Sequence, residues 1–291
     1  MPGFTSTTLV SLVVAAIGRI DPDLGPGIAR PDPMMTGVTP DTDKTSLLAD
    51  FVAKHGPTSV LHIGQHLDLA EESPVLSVLT MSPDPTVMAD KWMRLERYHH
   101  SSHRTVIDPS RQHMWTCTRR STTAPASLAE NLLVAGVLFG LLERLGADHC
   151  RLRIDGQTVS ADSFENLELG GACAEFALLW SADQASEHIH APAAGNIADT
   201  LAGLLARDIG RSWRLKDAAK ELAFSERSLQ RNLGRSGRNF SSVLRRARMR
   251  EATQLLAKTD TSLAEIGYCC GYADQAHFQR DFQRVANMTP R

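Results

Sequence analysis

The last third of the chain writes one plan twice, and no other feature restricts the fold so tightly. The first copy is "RLKDAAKELAFSERSLQRNL" (214–233) and the second is "SLAEIGYCCGYADQAHFQRDFQRV" (262–285). Each opens with a short apolar helix, passes a turn, and continues from a capping Ser or Asp into a helix rich in Gln and Arg. In the first copy Leu215, Ala218, Ala219 and Leu222 share one helical face, and Ala223-Phe224 makes the turn. Ser225 then caps a second helix whose inner residues are Leu229 and Leu233. In the second copy Leu263 and Ile266 face inward, Gly271 turns the chain, and Asp274 caps a helix with Phe278 and Phe282 inside. Small alanines let two helices approach closely, and the later helix of each pair projects its polar side chains outward. That is a helix-turn-helix layout.

The outward residues are Arg227, Gln230, Arg231 and Arg235 in the first copy. In the second they are Gln275, His277, Gln279, Arg280 and Arg284. Arginine can bridge a guanine edge and glutamine an adenine edge, each with two hydrogen bonds, while further arginines can meet phosphates. "SSVLRRARMREATQLLAK" (241–258) reads as one continuous helix between the copies, apolar at Leu244, Ala247, Ala252, Leu255 and Leu256. Eighteen residues at about 1.5 Å each span roughly 27 Å. With the flanking units added, two outward helices could stand about one DNA turn apart, roughly 34 Å.

Charge is divided along the chain. Residues 207–291 hold 17 Lys and Arg against 9 Asp and Glu, whereas residues 1–206 hold 14 against 24. A basic tail behind an acidic front suits a polyanionic partner for the tail, or simply a solvated basic face. The 291 residues are enough for roughly two domains, and 42% hydrophobic content is enough for a core in each. Cysteines stand at 117, 150, 173, 269 and 270. They are few, odd in number and without CxxC spacing, which fits reduced thiols in a cytoplasmic protein better than a disulfide framework or a zinc ribbon. The apolar run Leu9–Ile17 is too short to cross a bilayer and follows no basic segment, so no membrane partner is expected.

The front reads as α+β. Helices are expected over about 6–18 and 44–55, with an irregular connection marked by prolines at 22, 26, 31, 33 and 40. "TVMADKWMRLERYHHSSH" (86–103) is helical in pattern. "SLAENLLVAGVLFGLLERLG" (127–146) is the strongest helix there. Ser127 caps it with Glu130 three residues on, Gly146 stops it, and apolar residues on nearly every face predict burial. "CRLRIDG" (150–156) and "AEFALLWSA" (174–182) read as strands. "DQASEHIHAPAAGN" (183–196) is polar, small and broken by Pro and Gly, and marks the boundary. The expected organisation is a regulatory α+β domain over 1–183, a linker over 184–194, and an all-α domain over 195–291 with two helix-turn-helix units joined by a long helix.

With those residues set out, the tail resembles the DNA-binding domain of the AraC/XylS family of bacterial transcription regulators. The resemblance rests on "A..LAFS.RSLQR.L...G..F...L...R...A..LL" from Ala219 to Leu256. It continues in "SLAEIGYCCGYADQAHFQRDFQR" from Ser262 and in the closing Thr289-Pro290. It covers about a third of the chain. "SERSLQR" and the following "NF" look most like the branch that includes regulators of ornithine and arginine catabolism. In that branch a "SPDPTVMADKW...ERY" helix and a long apolar helix occur in the same order in front. Carried over by position, the first reading helix would use Arg227, Gln230 and Arg231, and the second Gln275, Ala276, His277 and Arg280. Three positions depart from the pattern: Ala223 and Asn287 stand where the family commonly has glycine, and Gly267 where it commonly has alanine. The resemblance implies promoter DNA and RNA polymerase as partners, with a small effector or a second copy of the chain at the front domain.

Other signals point elsewhere only weakly. His99 and His103 have the i,i+4 spacing of a metal-binding pair on a helix, but no HExxH follows, and a polar helix end explains them as well. "EHIHA" (187–191) carries less. Cys269-Cys270 could sense oxidants if a thiolate were exposed, and packing is the plainer role. No phosphate loop, GxSxG or dinucleotide fingerprint occurs, so neither an enzymatic activity nor a cofactor is expected. The rival class is a metal- or ligand-binding module whose tail binds protein.

Overall fold

A computed structural model describes residues 4–24, 38–70, 74–98, 103–122, 124–181, 196–259, 261–286 and 289–290. The chain divides into two compact units, 1–184 and 185–291. The expected linker, the "EHIHA" histidines, His99 and Asn287 lie outside the described residues.

In the front unit β1 (Phe4–Ser6) leads into α1 (Thr7–Ile20), and β2 (Val38–Pro40), antiparallel to β1, leads into α2 (Asp41–His55). A 3-10 stretch, Pro57–Ala70, follows with a break at His66, then α3 (Pro74–Thr80) and α4 (Pro85–Tyr98). The sheet is built from β3 (His103–Arg111), β4 (Met114–Ser121), β5 (Asp148–Ile154), β6 (Gln157–Val159) and β7 (Glu175–Ser181). Its order is β3-β4-β7-β5-β6, with every pairing antiparallel. Only β5 and β7 were legible as strands in the sequence. The helix expected to run through residue 103 ends at Tyr98, and His103 opens β3, where its Nε2 lies 2.9 Å from the Ala124 carbonyl. The i,i+4 argument for a His99–His103 metal pair therefore fails, because His103 is on a strand.

The helix α5 (Leu128–Arg144) is buried from Glu130 to Leu142, as its all-round apolar pattern predicts. Ser127 and Glu130 form the expected capping box. The Glu130 N–H donates to Ser127 Oγ (3.3 Å), and the Ser127 N–H donates to Glu130 Oε2 (3.0 Å). The 3-10 stretch crosses α5 so closely that glycine is required on both sides. A Cβ on Gly140 would stand 2.0 Å from the Gly64 oxygen, and one on Gly136 2.3 Å from the Leu61 oxygen.

The free edge of β3 is closed by side chains of α4. The Thr105 N–H donates to Glu96 Oε2, and the Ile107 N–H meets Met93 Sδ at 3.5 Å. Arg119 of β4 completes this junction. Its Nη1 donates to Glu96 Oε1 (2.9 Å), and its Nε reaches Asn131 Oδ1 of α5 (3.3 Å). Burial pushes the Glu96 carboxyl up, while the Arg119 guanidinium and the Thr105 hydrogen bonds oppose that rise. The junction ties α4, β3, β4 and α5 together.

The regular elements among the tail unit's described residues are all helices: α6 (Ile197–Arg207), α7 (Leu215–Glu221), α8 (Glu226–Arg235), α9 (Phe240–Lys258), α10 (Leu263–Cys269) and α11 (Gln275–Ala286). The unit holds two cores. The first gathers residues of α6, α7, α8 and the connection between α6 and α7, among them Leu201, Leu205, Trp213, Ala218, Leu229 and Leu233. The second gathers Ile266, Cys270, Tyr272, Phe278 and Phe282. The helix α9 serves both, giving Val243 and Leu244 to the first and Met249 and Ala252 to the second. Among the described residues no helix is long and apolar enough to cross a membrane.

Candidate nucleic-acid interface

The two turns are built alike. In the first, Ala223 adopts φ +56°, and the Phe224 N–H closes back to the Ala219 carbonyl at 2.8 Å. In the second, Gly271 adopts φ +76°, and the Tyr272 N–H closes back to Gly267 at 3.0 Å. Both are left-handed helix stops followed at once by a new helix cap. Ser225 caps α8, its Oγ accepting from the Ser228 N–H at 3.2 Å. Asp274 caps α11, its Oδ1 accepting from the His277 N–H at 2.6 Å. The cap stands two residues beyond Ala223 but three beyond Gly271, so the second turn is one residue longer.

Downstream of each cap the inner face is apolar, with Leu229 and Leu233 fully buried in α8, Phe278 fully buried in α11 and Phe282 nearly so. That burial turns the other face outward. Arg227, Gln230, Arg231 and Arg235 are all exposed on α8, and Ser225 is exposed at its start. On α11 Gln275, Ala276, His277, Arg280 and Arg284 are exposed, and Gln279 is half-buried. The sequence-level candidates thus stand together on two solvent-facing helix surfaces. Gln283, also exposed on α11, was missed, although the same spacing would have found it.

The scaffold behind these faces holds polar side chains that sequence reasoning passed over. In the first unit the Arg211 guanidinium lies 4.3 Å from the Trp213 ring centroid and pairs with Glu221 at 2.9 Å. Trp213 Nε1 donates to the Asp208 carbonyl at 2.8 Å. In the second unit Asp281 is paired with Arg245 of α9 at 3.1 Å and accepts from the Tyr272 hydroxyl at 3.3 Å. Burial and the neighbouring Asp281 carboxylate push the Tyr272 phenol up, so its proton stays in place to donate. Cys269 and Cys270 are both buried, and burial pushes the Cys270 thiol up, which suits packing rather than redox chemistry.

Two short helix pairs, each with a capped and outward-facing second helix, make the tail a helix-turn-helix domain. Residues 218–291 match the family described as "Helix-turn-helix domain", of the AraC type. Among similar proteins, the urease operon transcriptional activator of Escherichia coli is 34% identical over 87 residues, which cover 30% of this chain and 29% of that protein. The HTH-type transcriptional activator FapR of Escherichia coli is 28% identical over 94 residues, covering 32% of this chain and 36% of that one. The chain thus spans about a third of the length of the curated relatives it matches. Among solved structures, a DNA-binding transcriptional dual regulator from Escherichia coli K-12 is 27% identical. It covers 33% of this chain and 92% of that one, with a TM-score of 0.32. The transcriptional regulator CdpR from Pseudomonas aeruginosa is 18% identical and covers 87% of this chain and 92% of that one, with a TM-score of 0.34.

Proposed function

We propose that the chain is a sequence-specific DNA-binding transcription regulator, and that α8 and α11 are its reading helices. The observation that carries this reading is the repeated surface: two capped helices, each with a buried apolar face and an exposed face of Arg and Gln. Arg227, Gln230 and Arg231 on α8, and Gln275, Ala276, His277 and Arg280 on α11, approach base edges. Ser225 at the start of α8, Arg235 and Arg284 in the last turns of α8 and α11, and the half-buried Gln279 meet the phosphates that run beside those bases. The basic excess of the tail supplies the non-specific attraction on which both depend.

The front unit has its own sheet and its own buried helix, and in this reading it binds a small effector or a second copy of the chain and alters the tail's activity. "SERSLQR" and "NF" support assignment to the branch with the ornithine and arginine catabolism regulators, and RNA polymerase is the partner that the resemblance implies. The binding experiment uses duplexes enriched by the full chain from a random-sequence library. Arg231→Ala and Arg280→Ala should each weaken binding by about 1–3 kcal/mol and relax the preference at one position. Unchanged affinity and preference in both variants would show that the reading residues are assigned wrongly.

A further inference from the structure

The geometry points to Asp281 as a positioning residue that fixes the second reading helix against the first and so sets the DNA spacing the protein accepts; this rests on the DNA-reading role proposed above. Asp281 lies on α11 between Arg280 and Phe282 and is 7% exposed, so it faces the scaffold and not the surface that carries Arg280. Its two carboxylate oxygens go to different elements. Oδ1 pairs with Arg245 of α9, and Oδ2 accepts from Tyr272, the residue after the turn. A buried carboxylate needs such partners, and here they lock α11 against rotation about its own axis and against sliding along α9.

The lock extends towards the first unit. The Arg248 guanidinium of α9 lies 5.3 Å from the Tyr272 ring centroid. Gly271 leaves no room for a methyl group: a Cβ there would stand 2.6 Å from the carbonyl oxygen of Ile209 and 3.0 Å from Arg248 Nη2. Ile209 belongs to the first core, so the turn of the second unit rests directly on the backbone of the first. The ring of His277, a candidate reader, also packs edge-on to Tyr272 with centroids 5.2 Å apart. One carboxylate therefore connects the shared helix, the turn and the reading face. Loss of it frees α11 to adapt, which weakens binding to the preferred site but makes the protein tolerant of altered spacing.

The test measures the full chain by fluorescence anisotropy on its own library-selected duplex, and on copies with one to five base pairs inserted between the two protected elements. Each inserted pair turns the second element by about 35° around the duplex. The wild-type chain should lose at least about tenfold in affinity on insertion of two or three pairs. Asp281→Ala and Asp281→Asn should bind the original duplex several-fold more weakly yet lose less than about threefold on insertion. The charge-exchanged R245D/D281R should recover the wild-type penalty. Tyr272→Phe, which keeps the ring and removes one hydrogen bond, gives the same readout if the aspartate variants lose helical circular dichroism. Variants that keep the full insertion penalty overturn the inference while leaving DNA reading intact. A wild-type chain that enriches no sequence removes the DNA reading itself, and this inference with it. A chain that binds with no dependence on spacing overturns only the inference.

Discussion

Ala223 and Gly271 do the same job with different chemistry. Both sit at positive φ, +56° and +76°, where an L side chain costs about 1–2 kcal/mol and glycine costs only its extra chain entropy, about 0.5–1 kcal/mol. Replacing Ala223 with Gly should therefore stabilise the tail by about 0.5–1 kcal/mol, read as a higher denaturant midpoint with an unchanged slope. Gly271→Ala should do the reverse and more, because its methyl would also meet the Ile209 oxygen at 2.6 Å. If Ala223→Gly lowers the midpoint, the left-handed turn is not strained. At this scale the sequence was legible wherever the chemistry is local. Ser127, Ser225 and Asp274 announce themselves as caps because a cap acts on a backbone N–H two or three residues ahead. Asp281 and Arg245 announce nothing, since neither lies within a helical turn of its partner, and only the packing of α11 on α9 brings them together.

Helix α5 shows how packing overrides propensity. Glycine inside a helix costs about 1 kcal/mol relative to alanine, so Gly→Ala should ordinarily stabilise. Gly234 on α8 has nothing within 4 Å of its missing Cβ, and Gly234→Ala should raise tail stability by up to about 1 kcal/mol. Gly140 faces the Gly64 carbonyl, and a methyl at 2.0 Å must push the two backbones away from each other. Overpacking costs about 1–3 kcal/mol and exceeds the propensity gain, so Gly140→Ala should lower the stability of the front unit. Hydrogen exchange of the α5 amides measures it, and slower exchange in that variant would mean that the crossing is looser than the geometry states. The buried character of α5 could be read from its all-round apolar pattern; the partner its glycines admit could not, because the Gly64 and Leu61 carbonyls that meet them lie more than 70 residues away along the chain. The strands β3 and β4 were missed for a related reason. "HRTVIDPSR" and "MWTCTRRS" each bury only two side chains fully or nearly so (Thr105 and Ile107, Trp115 and Cys117), and the rest is Arg, Ser, Thr and other residues that read as loop. Tertiary pairing with β7 makes β4 a strand, and Glu96 closes the edge of β3.

The whole molecule joins an acidic unit to a basic one, and the two cores of the tail use only residues from Ile197 to Phe282. Residues 196–291 expressed alone should therefore fold into a helical domain that unfolds cooperatively. Freed from a front unit with 22 acidic and 14 basic residues in 1–184, that fragment should bind random-sequence DNA more tightly than the full chain at low salt. The difference should shrink as salt rises, because charges more than about 10 Å apart are largely screened at 0.1 M. Direct phosphate contacts behave differently. Each neutralised phosphate contributes about −0.9 to the slope of log K against log salt, so above about 0.1 M, where the front unit's field is screened, the slope should become the same for the fragment and the full chain if α8 and α11 make the contacts in both. With about five such contacts, affinity should fall roughly five-hundred-fold between 50 and 200 mM salt. Arg231→Ala and Arg280→Ala should each flatten the slope by up to about one unit where the lost arginine met a phosphate, and leave it unchanged where it met a base. A slope steeper in the full chain than in the fragment would place phosphate contacts in the front unit and show that the division of charge does not divide the work.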